Sequence, residues 1–348
     1  MFAENLNERE KIILRSIVQQ FILTAMPVGS RNITKRSDVG VSPATVRNIM
    51  ADLEESGFIN HPHTSAGRVP TDKGYRYYVD TLMDVQEIKN VDKGIIDKSF
   101  EQTNPETDEI LSLASRLLSS ITKQIACVTY PKLDNGILEK IQLVSLSSNR
   151  LLVVVSIKSG LVKTITLEYE NEIENDSLRS VETLLNERLS GLTFNEIRKT
   201  FKERFYDIGD IERPIIRLFI DSVDKIFNDH HNKDKIVITG ATNVIQQPEF
   251  DDPEKFQGVI ELIENKDIII HIMDKKFNEN LNNVLISIGK ENEEERFNEY
   301  SLITKEYTIA GTSGTVGIIG PKRMEYSRVV AIVSYLGDLL SEVLKGNK

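Results

Sequence analysis

Four neighbouring side chains in the first part of the chain have the chemistry needed to contact DNA bases. Arg47 and Asn48 carry groups that pair with guanine, adenine or phosphate oxygens, while Ala44 and Thr45 are small enough to allow close approach to a groove. Their spacing places all four in the first two turns of one helix, on its polar face. The alternative interpretation is an amphipathic helix whose polar face meets only water.

The helix that would carry these side chains has clear boundaries in the sequence. Ser42 supplies an oxygen for the N-cap and a further DNA contact, Pro43 suits the first helical position, and Gly57 ends the helix. Apolar residues three and four positions apart predict its buried face, namely Val46, Ile49, Met50 and Leu53.

Basic residues precede this helix. A short helix is predicted from Ser30 through Lys35, and it brings Arg31, Lys35 and the following Arg36 close to the same surface. These three cations are expected to hold phosphates, although a solvated basic surface is the simpler alternative. A first helix is predicted to begin at Asn7, with Glu10 completing a capping box.

A small polar hairpin is predicted directly after the recognition helix. Residues 58–61 and 69–71 suit two short strands, and the segment between them contains glycine, hydroxyl groups and cations. Such a hairpin is typical of the wing in a winged helix-turn-helix, which touches phosphates or the minor groove. The side chains expected to make these contacts are His63, Thr64, Ser65 and Arg68.

Three runs carry a resemblance to a known family: Val41–Asn48, Asp52–Glu55 and His63–Arg76. They resemble the heat-inducible transcription repressor family, HrcA, and the order and size of the later segments fit that family along essentially the whole chain. The resemblance implies an α+β, multidomain protein: an N-terminal winged helix-turn-helix and a GAF-like antiparallel α/β sensor domain interrupted by a mainly helical inserted dimerisation domain. It also implies a homodimer that binds double-stranded DNA at an inverted-repeat, CIRCE-type operator and whose active form is maintained by the GroEL chaperonin.

Composition limits the class of protein. The 348 residues carry a net charge of −10 and a single cysteine, Cys127, so two or three domains without internal disulfides are expected. Residues 1–85 contain ten basic and ten acidic residues, so the negative charge belongs to the remainder. The sequence shows no signal peptide pattern and no apolar run long enough for a membrane span, and it predicts a cytoplasmic protein.

The rest of the chain alternates strand-rich and helix-rich segments. Strands are predicted at residues 126–130, 137–147, 151–157 and 161–167, and again at 267–273, 284–289 and 307–319, with a closing helix at 326–344. The expected domains are 1–85 for DNA binding, 86–104 as a linker or loosely held helix, 105–172 and 249–348 as two parts of the sensor, and 173–248 as the insertion.

Dimerisation is expected through the helical insertion. Its first helix has an apolar stripe that needs a partner surface, and a self-complementary contact across a two-fold axis would supply one. The residues of this stripe are Leu178, Val181, Leu184 and Leu185.

No catalytic site, metal site or cofactor is expected. The glycine-rich run 311–317 lacks the lysine and helix start of a phosphate-binding loop, so a β-turn is the better interpretation. The histidines lack metal-ligand spacing, and Cys127 lies among strand-forming residues. A repressor is the preferred function. A metabolite-responsive winged-helix regulator with a small ligand in the GAF-like domain, and an enzyme with an accessory winged helix, remain alternatives.

Overall fold

The computed structural model describes residues 6–36, 40–62, 67–84, 86–102, 106–169, 175–209, 213–228, 236–250, 252–273, 284–309 and 311–346. Over these ranges the chain mixes helices with antiparallel strands in three units: an N-terminal unit, a unit around a five-stranded sheet, and a unit inserted within that second one. No helix in these ranges is both long and apolar enough to cross a membrane.

The N-terminal unit (residues 6–84) packs helices against a two-stranded hairpin. Its elements are α1 (Glu8–Thr24), α2 (Ser30–Arg36), α3 (Pro43–Glu55), β1 (Ile59–Asn60), β2 (Val69–Pro70) and α4 (Asp72–Tyr77), which continues as a π-helical turn over Tyr78–Leu82. The predicted capping box is confirmed, because Asn7 and Glu10 each accept the other's backbone N–H, at 3.0 and 2.8 Å.

Residues 86–102 include helix α5 (Asn90–Glu101), so the expected linker is a packed helix over most of its length. Ile96 is fully buried, and the buried Asp92 carboxylate lies 3.2 Å from Arg328. Val91 and Ile95 of the same helix are 73% and 46% exposed, so its apolar side chains do not lie on one buried stripe and the sequence shows little periodicity. The next elements are α6 (Thr107–Thr122) and β3 (Ile125–Thr129).

The inserted unit (residues 133–228) has a sheet and a core of its own. Its elements are β4 (Leu138–Ser147), β5 (Arg150–Ile157), β6 (Val162–Glu168), α7 (Asn175–Leu189), α8 (Phe194–Arg204), α9 (Arg213–Asp221) and α10 (Val223–Phe227). The predicted meander is confirmed, but its assignment to the sensor segment 105–172 is wrong. The inward side chains of β5, such as Val153 and Val155, pack on the helices of the insertion rather than on the larger sheet.

The apolar stripe predicted for dimerisation lies inside this unit. Leu178, Val181 and Leu185 on α7 are 5%, 0% and 0% exposed, and Leu184 is half-buried against the same cluster. The expectation that this stripe needs a second chain is therefore wrong, because the meander of the same chain already covers it.

The chain then returns to complete the five-stranded sheet. The closing elements are β7 (Ile236–Thr239), α11 (Ala241–Ile245), α12 (Pro253–Glu264), α13 (Lys266–Met273), β8 (Val284–Ile288), β9 (Tyr300–Ile309), β10 (Thr312–Pro321) and α14 (Tyr326–Gly346). The strand order is β7-β3-β10-β9-β8, and every pairing is antiparallel. Helices α6 and α14 pack on one face, and α12 and α13 on the other.

Three predictions for this part need correction. Residues 267–273 are helix α13 rather than a strand. The prediction was wrong because an apolar run this short, with most of its residues buried, shows clearly neither the repeat of a helix nor that of a strand. Residues 236–239, expected inside a helical insertion, are strand β7 beside β3. The strand predicted at 307–319 is a hairpin of β9 and β10 that turns at Gly311, which has a φ of +88°.

The N-terminal unit does not have a separate core. Buried side chains of α1, α3 and α4 belong to the same cluster as those of α6, α14 and one face of the five-stranded sheet. The inserted unit, by contrast, has its own cluster. The molecule is therefore built from two packed bodies rather than three independent domains.

Candidate nucleic-acid interface

Helix α3 begins as its sequence predicts. Ser42 is the N-cap, and its hydroxyl accepts the backbone N–H of Thr45 at 3.2 Å. Pro43 occupies the first turn, where its missing N–H costs nothing. Val46, Met50 and Leu53 are at most 5% exposed and fix the helix on the core.

The opposite face of α3 is open to solvent. Ala44, Arg47 and Asn48 are exposed, while Thr45 is half-buried and its hydroxyl lies 3.0 Å from that of Ser42. The structure thus presents a guanidinium and an amide on the exposed side of the first two turns. These groups have the donors and acceptors required to read base edges or to bind phosphates.

Helix α2 lies against α3 and adds further positive charge. Ile33 is fully buried and anchors it, while Arg31 and Lys35 are exposed. Arg36 is the last residue of the helix, and its side chain lies outside the described part. Two of the three predicted phosphate-binding cations therefore lie on the surface of a helix that packs on α3.

The hairpin after α3 is held at its base by backbone contacts. β1 and β2 pair antiparallel, and Arg68 exchanges two backbone hydrogen bonds of 2.9 Å with Val28. A Cβ on Gly67 would lie 2.6 Å from the Val28 carbonyl carbon, so the absence of a side chain permits this approach. His63, Thr64 and Ser65, predicted at the tip, lie outside the described residues.

Arg68 is not a free cation at this surface. Its Nη2 donates to Glu54 Oε2, in the last turn of α3, at 2.7 Å, and the two side chains are 27% and 22% exposed. His61 Nδ1 also donates to the Glu54 carboxylate. Burial alone would raise the pKa of Glu54, but the hydrogen bond from His61 and the charge of Arg68 lower it overall.

The joint between the hairpin and α4 depends on one threonine and one glycine. Thr71 caps α4 by accepting the Gly74 N–H at 3.1 Å, and its hydroxyl donates to the Gly57 carbonyl at 2.7 Å. A Cβ on Gly74 would lie 2.1 Å from the Phe58 carbonyl oxygen. Lys73 donates to the Ser56 carbonyl at 2.8 Å, at the end of α3.

Comparisons with known proteins connect this geometry to a family. The model described as the HrcA protein C-terminal domain matches residues 108–330. A heat-inducible transcription repressor HrcA from Chlorobium phaeobacteroides (strain BS1) is 41% identical over 352 residues, which cover 99% of this chain and 100% of that protein. This chain belongs to the HrcA family. The HrcA of Chlorobaculum tepidum is also 41% identical, with 100% of both chains covered.

A solved structure shares the fold of this HrcA chain. The crystal structure of a hypothetical protein has a TM-score of 0.59 and 22% sequence identity, and the match covers 99% of this chain and 100% of that one. At this level of identity the likeness concerns the fold alone.

Sequence reasoning missed a set of contacts that join α4 to the sheet. The Arg76 guanidinium donates to Glu291 Oε1 at 2.7 Å and to the Ile286 carbonyl at 2.7 Å, and it also pairs with Asp80. Asp72 accepts the Lys290 backbone N–H at 3.1 Å. Both residues belong to the 63–76 run that carried the family resemblance, but nothing in their spacing indicates a partner more than 200 residues away.

A second set of contacts joins the N-terminal unit of this HrcA chain to the start of α14. Arg323 donates to the Ile22 carbonyl, at the end of α1, at 2.8 Å and is paired with Glu249. The Tyr75 and Tyr326 rings lie 6.0 Å apart between centroids. The N-terminal unit that carries α3 is therefore attached to the rest of the chain through both α4 and α1.

The single cysteine and most of the glycine-rich run 311–317 belong to strands of the five-stranded sheet. Cys127 is completely buried in β3, and burial raises the pKa of its thiol, as expected for a small hydrophobic core residue. Residues 312–317 of the glycine-rich run lie in β10. Within the described ranges, no group of three or more His, Cys, Asp or Glu side chains is arranged to hold a metal ion.

Proposed function

We propose that this HrcA chain is a heat-inducible transcription repressor that binds an inverted-repeat, CIRCE-type operator as a homodimer. The N-terminal unit acts as a winged helix-turn-helix, with α3 in the major groove and the hairpin beside it. The observation that carries the proposal is the exposed Arg47 and Asn48 pair on a capped helix whose other face is fixed in the core. The family names of its relatives agree with this function.

Charge distribution favours specific over general DNA binding. The chain has a net charge of −10, while the first 85 residues contain equal numbers of acidic and basic residues. Non-specific affinity comes from phosphate neutralisation, so this protein should bind random DNA weakly. Base contacts from α3 then supply most of the discrimination, with Arg31 and Lys35 holding phosphates beside it.

The homodimer requires a contact surface other than the buried stripe of α7. The outer face of the inserted sheet offers one, because Val144 and Val162 are 46% and 61% exposed and Leu152 and Val154 are half-buried beside them. In the strand register, Val144 lies opposite Leu152, and Val162 lies opposite Ser156 next to Val154. The same face of a second chain would cover these apolar side chains, and the resulting dimer would place two N-terminal units on one palindromic site.

Chaperonin control completes the proposal. The five-stranded sheet joins β3 to strands more than 100 residues later, so its contacts are non-local and folding exposes apolar surface. A GroEL-type chaperonin would return such a chain to its binding form, and heat stress that occupies the chaperonin would release the operator. After heating, operator binding should return with chaperonin and ATP but not without them.

The decisive experiment measures operator and random duplex affinity for Arg47→Ala and Asn48→Ala. Each variant should lose about 1–3 kcal/mol on the operator and little on random DNA, because each removes a base contact. Ala51→Ser, on an exposed position of the same helix further from its start, is a control that should bind normally. Unchanged operator affinity in both variants would exclude α3 from base reading.

A metabolite-responsive regulator remains the alternative, and one cavity favours testing it. A cleft of about 330 Å³ lies between the end of α1 and the start of α14, lined by residues that include Leu23, Lys123 and Arg323. A ligand there would contact the N-terminal unit and the unit around the five-stranded sheet at once. Native mass spectrometry of the purified protein would show a bound small molecule if this alternative holds, and only the protein mass if the repressor acts without a ligand.

A further inference from the structure

One carboxylate connects the hairpin to the recognition helix. Glu54 lies in the last turn of α3, and its two oxygens accept separate donors: Arg68 Nη2 at 2.7 Å from the second strand side, and His61 Nδ1 from the first. Glu54 is 22% exposed, so water competes for it only in part. One side chain of α3 thus holds both arms of the hairpin.

Among the described residues of the hairpin, the backbone contacts lie at its base. Arg68 is paired with Val28, and Phe58 N–H donates to the Leu53 carbonyl at 2.9 Å. Glu54 differs from these contacts because one side chain reaches from the helix to both arms. Glu54 therefore links α3 to the hairpin, the two elements that are proposed to contact DNA together.

Simple electrostatics predicts the opposite role for this residue. A carboxylate beside a DNA-facing surface repels phosphates, so its removal should strengthen binding to any duplex. The contacts of Glu54 instead predict that its removal weakens binding to the operator. The two expectations differ in sign, which makes the residue unusually easy to test.

We propose that Glu54 is a positioning residue for operator recognition, holding Arg68 and His61 so that the hairpin keeps one angle to α3. This inference rests on the proposed function of the N-terminal unit. Glu54 itself does not touch DNA. It acts through the hairpin, and it keeps the Arg68 guanidinium away from phosphates.

The variant Glu54→Gln keeps the size of the side chain and removes its charge. Operator affinity should fall roughly fivefold to tenfold, the scale of one partly exposed charge-assisted hydrogen bond. Random-duplex affinity should not fall, because the released Arg68 can reach a phosphate. The slope of log affinity against log salt on random DNA should then steepen by about 1, a change that a merely structural role would not produce.

Glu55→Gln is the matched control, since Glu55 is exposed on the neighbouring position and carries the same charge. It should strengthen binding to both duplexes slightly. Arg68→Gln should lose operator affinity to a similar extent, and Glu54→Gln with Arg68→Gln together should lose no more than either alone. A urea transition would reveal whether Glu54→Gln is poorly folded, and in that case Arg68→Gln keeps the test valid.

The outcomes separate two failures. If Glu54→Gln behaves as Glu55→Gln does, or if the losses of the two single variants add, Glu54 is not a positioning residue although the repressor function stands. If the unmodified protein does not distinguish operator from random DNA, the proposed function fails first.

Discussion

Replacing Arg76 with methionine should loosen the attachment of α4 to the five-stranded sheet. Methionine keeps much of the apolar stem but removes every donor of the guanidinium. Glu291 then loses a bidentate partner, and the Ile286 carbonyl loses a hydrogen bond of 2.7 Å. Burial by itself lowers the pKa of Arg76, but the hydrogen bonds and charge of Glu291 outweigh it and raise that pKa, which shows that the charged form is stabilised.

The size of the effect follows from the exposure of the partners. Hydrogen bonds to charged groups contribute about 1.5–3 kcal/mol each, and breaking a fully buried pair costs about 3–5 kcal/mol. Arg76 and Glu291 are 25% and 35% exposed, so water replaces part of what is lost. We therefore expect the attachment to weaken by about 2–3 kcal/mol, at the lower end of these ranges.

Hydrogen exchange measured by mass spectrometry would report this opening locally. A loss of that size should speed exchange of α4 amides roughly 30- to 150-fold if they exchange by detachment of α4. Arg15→Met is the control: Arg15 pairs with Asp84 with side chains 41% and 77% exposed, and such a pair contributes only about 0–1 kcal/mol. Equal exchange rates in the two variants would refute the idea that Arg76 holds the units together.

Three further expectations concern other parts of the molecule. Val162→Glu should convert the proposed dimer to monomers in analytical ultracentrifugation, and a dimer that survives this change would place the contact elsewhere. Leu185→Ala should lower the free energy of unfolding by about 2–5 kcal/mol by leaving a cavity. Gly74→Ala should destabilise the N-terminal unit in urea titrations because its Cβ would meet the Phe58 carbonyl at 2.1 Å, and Gly29→Ala, with open space around it, should not. Burial, followed by the charge of Arg198, lowers the pKa of Lys163 to about 8, so above that pH the folded state binds fewer protons than the unfolded state. The free energy of unfolding should therefore rise between about pH 7 and pH 9, and the urea midpoint of Lys163→Met should lack this rise.

Local sequence signals predicted local structure well. Side chains that cap helices act over three residues, so Asn7 and Ser42 could be assigned from their neighbours alone. The exposed position of Arg47 and Asn48 followed from helical periodicity in the same way. These features determine where α3 begins and which of its faces is exposed, which is why this part of the candidate site was predictable.

Long-range contacts could not be predicted from the same signals. The meander of β4 to β6 pairs as expected, but its position beside α7 instead of β3 is decided by which apolar faces fit each other. Arg68 looked like a phosphate ligand because its partner Glu54 is 14 positions earlier and on another element. Helix α13 looked like a strand because it is only eight residues long and rich in isoleucine, a β-branched residue that favours strands.

The attachment of α4 also has a consequence for protein synthesis. Arg76 cannot form its contact until Glu291, 215 residues later in the chain, has been synthesised, and Tyr75 cannot pack on Tyr326 until that residue is made. A ribosome adding about 5–20 residues per second needs on the order of ten to fifty seconds to supply them. During that interval the newly made α4 leaves the tunnel with Tyr75 uncovered, so nascent chains expose this apolar side chain before the last helix, α14, can cover it.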